Sequence, residues 1–218
     1  MAPGHAESEP HSCVFGNRRV HQGSENMTME QAAAHAEQVV LVDEGNRPLR
    51  TAEKSTVHHG DTSLHRGFSV FLFDRSGTLL LQQRCLRKTT WPGVWSNSCC
   101  GHPQPGETTE HAMQRRIGEE LGLTDVAVKV MIPGHRYRFA RHGVVENEFC
   151  PVGVGVVDET PDPDPDEVQA IRWIAWEDFL EEIEGDSGYT EWCIEEAHLL
   201  ANDPNCRAFL DGLQEAPR

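Results

Sequence analysis

Apolar residues fall in short blocks from Gln38 onward, and the blocks change period along the chain. The first block, Gln38-Val39-Val40-Leu41-Val42-Asp43, is closed by Glu44-Gly45-Asn46 and predicts a strand. Gly67–Phe73 (GFSVFLF) and the run from Thr78 (TLLLQQR) flank Asp74-Arg75-Ser76-Gly77, which predicts a hairpin. Further on the period lengthens. Ala112, Met113, Ile117 and Leu121 recur at helical intervals, with Thr108 and Thr109 as candidate N-caps and Gly122 as the stop. Strands are then expected over Val126–Ile132, around Arg136-Tyr137-Arg138, through Val144–Val152 and over Ala170–Trp176. Glu177–Glu184 reads as a short acidic helix, and Thr190–Ala201 and Arg207–Leu213 as surface helices. Lys54–His65 (KSTVHHGDTSLH) and Asp158–Glu167 (DETPDPDPDE) show no period and read as loops, the second one solvated. Residues 1–36 are polar and patternless, so they are expected to be a disordered or loosely attached extension preceding one domain at 37–218. Strands interrupted by one long helix argue an α/β sandwich with a mixed sheet, an extra N-terminal strand and C-terminal helices.

Bulk properties narrow the function. The chain has 218 residues, 38% of them hydrophobic, which suffices for a buried core. No run approaches the roughly 18 consecutive apolar residues of a membrane span. No charged-then-apolar signal segment is visible, so the cytoplasm is expected. The formal net charge of −16 argues against nucleic acid and against anionic membranes. An anionic small molecule would be repelled by that overall field, so any site for one needs local basic residues. Seven cysteines make a full disulfide framework improbable. Cys13, Cys85, Cys150, Cys193 and Cys206 are expected to be small hydrophobes or idle thiols.

Some positions carry chemistry. Arg116 and Glu120 are four apart on the long helix and share a face, while Glu119 lies about 100° away. Glu146 and Glu148 share one face of a strand, about 7 Å apart, where two carboxylates repel unless a cation or proton separates them. A soluble edge strand would show the same pattern. His58, His59 and His65 stand in the polar loop, where solvated histidines are equally expected. Arg84, Arg87 and Lys88 follow a strand and could be a solvated edge.

Gly101, Glu107, Arg115, Ile117, Glu119, Glu120, Gly122 and Leu123 follow the register of the Nudix box, a loop-helix unit that binds a divalent metal and a diphosphate. The box has Glu directly after its Arg, and here that place is Arg116. A guanidinium there removes a metal ligand and adds a bidentate phosphate grip. With Cys100-Gly101-His102-Pro103 just upstream, and with KSTVHH, RYRF, VENEFCP and YTEW elsewhere, the chain resembles the type I isopentenyl-diphosphate isomerases.

That resemblance implies a Nudix-type α/β/α sandwich and an enzyme interconverting isopentenyl and dimethylallyl diphosphate through a tertiary carbocation. It implies His58, His65, His102, Glu146 and Glu148 as a three-histidine, two-glutamate site for Mn²⁺, Zn²⁺ or Mg²⁺. It further implies Glu120 as ligand of a Mg²⁺ bridging the diphosphate, and Lys54, Arg84, Lys88 and Arg116 as the anion clamp. Cys100 and Glu148 would move the protons, Tyr137 would assist, and Trp192 would face the cation. Cys99 is the competing thiol, and the Cys-Gly-His-Pro register selects Cys100. The enzyme is expected to be a monomer with a small-molecule substrate. The alternatives are a Nudix diphosphohydrolase, which would need a carboxylate in place of Arg116, and an idle Nudix domain, which would not need Cys100 or the His/Glu set.

Overall fold

The computed structural model describes residues 37–185 and 188–215. The expected extension at 1–36, and Cys13 with it, lie outside the described residues. The elements run β1 (Gln38–Val42), β2 (Pro48–Glu53), α1 (Lys54–Val57), β3 (His65–Arg66), β4 (Phe68–Phe73), β5 (Thr78–Arg84), β6 (Trp95–Ser96) and β7 (Cys99–Gly101). They continue with α2 (Thr109–Leu121), β8 (Val128–Ile132), β9 (Arg136–Arg141), β10 (Val144–Phe149), β11 (Val152–Val156) and β12 (Val168–Ala175). Three helices end the described chain: α3 (Trp176–Ile183), α4 (Glu191–Asn202) and α5 (Pro204–Glu215).

The core is built around β4, whose six side chains are all buried. Alternation along a strand sends successive side chains to opposite faces. Phe68, Val70 and Leu72 pack with Ala112, Met113, Ile117 and Leu121 of α2. Phe71 and Phe73 pack on the other side with Trp176 and Phe179 of α3 and with Cys193, Ala197 and Leu200 of α4. A strand covered on both faces reads as an unbroken apolar run, which is why GFSVFLF shows no alternation. β4 lies in a mixed seven-stranded sheet ordered β12-β5-β4-β11-β8, with β6 on β5 and β7 on β4. A second, five-stranded sheet is ordered β2-β1-β3-β10-β9.

Helix α2 has the ends its sequence implies. The Thr108 side chain accepts from His111 N–H, and Gly122 ends the helix at φ 67. Gly122 is needed twice over, since a Cβ there would stand 2.8 Å from Asp162 O.

Three expectations need correction, and one strand was not anticipated. Pro48–Glu53 forms β2, but all its side chains except Ala52 are exposed, so no apolar pattern marked it. It is held by backbone pairing with β1. The polar segment 54–65 is not all loop, since it opens with α1 and ends in β3. The run expected over Val144–Val152 is two strands: β10 belongs to the five-stranded sheet and β11 to the other, with Cys150-Pro151 between them. Proline has no N–H to continue a ladder. Helix α4 is not a surface helix, because Trp192, Cys193, Glu196, Ala197 and Leu200 are buried.

Candidate active site

Strand register brings the first group of side chains together. β10 runs parallel to β3 with Glu148 opposite His65, and antiparallel to β9 with Glu148 opposite Tyr137. Glu148 Oε1 lies 3.0 Å from His102 Nε2 and 3.4 Å from His65 Nε2, and Tyr137 donates its hydroxyl to Glu148 Oε2 at 2.9 Å. Glu146, two residues earlier on the same face, lies 3.1 Å from His58 Nε2 through its Oε2. Gly67 makes room for this arrangement, since a Cβ there would fall 1.8 Å from Glu148 Oε2. Sequence reading did not single out Gly67. Its place just before a continuous apolar strand was the available signal.

The donor set suits a divalent cation. One ligand atom each from His58, His65, His102 and Glu148 lies within 4.8 Å of the others, and Glu146 joins this set through His58. His58 Nε2, His65 Nε2 and Glu146 Oε2 are buried, and no hydrogen bond satisfies them among the described residues. Buried polar atoms left in that condition cost free energy, and a metal ion between them removes the cost. Imidazole with carboxylate is a usual donor set for such an ion. Burial lowers the His102 imidazole to about 4, against the pull of the Glu148 carboxylate beside it. Burial works to raise Glu148, but hydrogen bonds and charge from His102 and His65 hold it well below the usual carboxylate range.

The two neighbouring cysteines separate by strand alternation. On β7, Cys99 is fully buried in the cluster under α2, whereas Cys100 lines a cavity on the other side. The Cys100 thiol donates to Asn97 Oδ1 at 3.0 Å and lies 3.6 Å from Ser69 Oγ. Asn97 is oriented by its amide nitrogen, which donates to Val70 O and Cys99 O. Burial pushes the Cys100 thiol up to about 12, so it holds its proton at neutral pH. Nearby, Trp192 stacks against Tyr137 at 5.9 Å and 10°, and meets the edge of Trp91 at 5.0 Å. Trp192 is therefore both packed and cavity-lining.

Cations line the same cavity. Lys54 pairs with Glu37 at 2.9 Å. Arg116 pairs with Glu119 at 2.9 Å and with Glu120, which also accepts from Gln82 at 3.2 Å. Arg84 donates to Thr90 O and Thr90 Oγ1 and lies over the Trp192 ring. Lys88 pairs with Glu167, and burial lowers its amine to about 8. Burial acts to raise Glu120, yet Arg116 and Lys88 keep it below its ordinary value.

One expectation fails here. The end of the Asp158–Glu167 segment is not merely solvated, because Glu167 enters the cavity. Its backbone carbonyl accepts from Cys85 N, and Asp164 N donates to Glu120 O, docking the loop on α2. Nothing in a Pro-Asp composition shows which of its carboxylates will turn inward.

One cavity of about 420 Å³ collects these groups. Cys100, Tyr137, Glu146, Glu148 and Trp192 line it together with Lys54, Arg84, Lys88, Arg116 and Glu120. His58 and His102 reach it as well, and His65 stands behind Glu148. Basic, acidic and aromatic side chains line it together, with Arg84 over the Trp192 ring.

Comparison with known proteins agrees with this geometry. The NUDIX domain model matches residues 63–193. The isopentenyl-diphosphate Delta-isomerase of Saccharopolyspora erythraea is 45% identical over 166 residues, covering 75% of this chain and 86% of that one. The enzyme of the same name from Frankia alni is 49% identical over 144 residues, covering 66% and 74%. Among solved structures, a Deinococcus radiodurans protein aligns with a TM-score of 0.61 at 21% identity, covering 75% of this chain and 98% of its own. That likeness bears on the fold alone.

Proposed function

Because this chain belongs to the NUDIX domain family and, within it, to the isopentenyl-diphosphate isomerases, we infer that it interconverts isopentenyl and dimethylallyl diphosphate, a step of isoprenoid biosynthesis. The observation carrying the mechanism is one cavity lined together by a thiol, a carboxylate, an indole and basic residues.

The basic residues bind the diphosphate. Lys54, Arg84, Lys88 and Arg116 focus positive charge there in a chain whose net charge is −16. That grip points the hydrocarbon at Cys100, Tyr137, Glu148 and Trp192. Moving the double bond requires one proton added to the alkene and another removed two carbons away. Alkenes are weak bases, so the donor must be aimed and the site dry. Cys100 and Glu148 serve as the pair, exchanging the roles of donor and acceptor with the direction of reaction. Asn97 aims the thiol, and Tyr137 supplies and orients a proton at Glu148 Oε2. The intermediate is a tertiary carbocation, and Trp192 offers it a π face that cannot attack it. His58, His65, His102, Glu146 and Glu148 would hold a divalent ion, Mn²⁺, Zn²⁺ or Mg²⁺, whose charge tunes Glu148, while a Mg²⁺ on Glu120 would neutralise the diphosphate.

A diphosphohydrolase is the second reading for any chain with this box. Arg116 speaks against it, since a guanidinium on that face of α2 binds phosphate rather than metal. We read the working form as a cytoplasmic monomer. Incubation with isopentenyl diphosphate and Mg²⁺ is expected to give the isomer with no inorganic phosphate released. Phosphate release without isomer would assign the hydrolase.

Trp192 separates carbocation chemistry from diphosphate binding. A desolvated cation–π contact contributes about 2 kcal/mol or more, roughly a thirty-fold rate effect. Trp192→Phe should lower kcat moderately, and Trp192→Leu, which keeps apolar bulk without a quadrupole, should lower it much further. Diphosphate affinity should stay nearly constant in both. If Leu performs as well as Phe, with melting temperatures unchanged, the residue is packing only.

A further inference from the structure

Glu167 ends the acidic loop, and its carboxylate sits among cations assigned above to the diphosphate. Its side chain ion-pairs with Lys88, and its Oε2 lies 3.3 Å from Arg116 Nη2. The position is fixed from both sides. Cys85 N donates to the Glu167 carbonyl at 3.0 Å, and Glu167 N donates to Asp164 O at 3.0 Å. Asp164 N in turn donates to Glu120 O at 2.9 Å. The elements that carry the basic residues thus also carry the carboxylate that faces them. An anion seated on Lys88 and Arg116 must take over the contacts Glu167 holds.

We propose that Glu167 is a specificity-determining residue, a tethered carboxylate that yields the Lys88–Arg116 subsite to a diphosphate and withholds it from a monophosphate. The proposal rests on reading the cavity as a diphosphate site. A tethered competitor acts at an effective concentration of roughly millimolar. A monophosphate offers Lys88 and Arg116 little that the carboxylate does not already supply, so at ordinary concentrations it displaces nothing. A diphosphate carries a second phosphoryl group, which can engage Arg84 and Lys54 in the same cavity. Anchored by those additional charge-assisted contacts, a diphosphate needs only part of the Lys88–Arg116 pair, so the carboxylate costs it less than it costs a monophosphate. Glu167 would thereby turn a general anion site into one that requires two linked phosphates.

The test titrates inorganic monophosphate and inorganic diphosphate, each with Mg²⁺, into the full-length protein and its Glu167→Gln variant by calorimetry. Gln keeps the size and removes the charge. Monophosphate affinity should rise about five-fold, the value of a modest ion pair, while diphosphate affinity rises less. Glu167→Asp keeps the charge but draws it back, and should shift the ratio in the same sense by less. Asp166→Asn, which alters an exposed carboxylate paired with Arg87, should leave the ratio unchanged. Weaker binding of both anions by Glu167→Gln would overturn the proposal, because it would mean that Glu167 arranges the cations instead of competing for them. An unchanged ratio would overturn it too. Wild-type protein that binds neither anion would instead remove the diphosphate reading, and this inference with it.

Discussion

Cys100→Ala and Glu148→Gln should each lower kcat by about 10²–10⁴-fold, and by more where no water can substitute for the missing group. Substrate KM should change far less, because neither side chain is one of the cations that grip the diphosphate. The large effect follows from position. The Cys100 thiol is half-buried, lines the cavity and is held by Asn97 and Ser69, which fix where its proton can go. Glu148 is enclosed among His65, His102 and Tyr137. Cys99→Ala is the control, since its thiol packs under α2 and does not line the cavity. Its activity should be near that of the parent, with some loss of stability from the missing sulfur. Steady-state assays of the three variants, with melting temperatures, test this. Equal and mild losses at both cysteines would contradict the assignment of Cys100.

Exhaustive chelation should abolish activity, and His102→Ala should do nearly the same while lowering the bound transition metal measured by elemental analysis. His102 Nε2 lies 3.0 Å from Glu148, so its loss removes a ligand and frees the carboxylate that the other ligands share. Loss of one metal ligand leaves the remaining buried donors partly unsatisfied, which weakens the ion and the local structure together. Glu120→Gln should behave differently. Glu120 pairs with Arg116 and accepts from Gln82, outside the histidine cluster, so its loss should raise the Mg²⁺ concentration needed for activity and leave metal bound at the histidines unchanged. Full metal content in His102→Ala would remove that residue from the ligand set.

Much of this site was legible in the sequence because its parts lie on elements with strong periods. Alternation alone placed Glu146 and Glu148 on one face, and helical spacing placed Arg116 beside Glu120. The loop histidines were less legible. His58 and His65 become neighbours only when α1 and β3 bring them against β10, which local pattern does not encode. β2 went unseen because its exposed side chains carry no apolar signal. Glu167 and Gly67 were missed for a related reason, as each acts through a long-range contact that its own neighbourhood does not reveal. Trp192 stood in an expected surface helix and was assigned to the cation by resemblance alone; it is buried between Tyr137 and Trp91.

The central claim is proton addition and removal on an intact diphosphate ester. Incubation of the full-length protein with isopentenyl diphosphate and Mg²⁺ in D₂O, followed by NMR, tests it most directly. Deuterium should enter the terminal carbon that gains a proton and the carbon two bonds away that loses one, in both isomers at equilibrium, with no inorganic phosphate signal appearing. Release of phosphate with no deuterium in the hydrocarbon would contradict it.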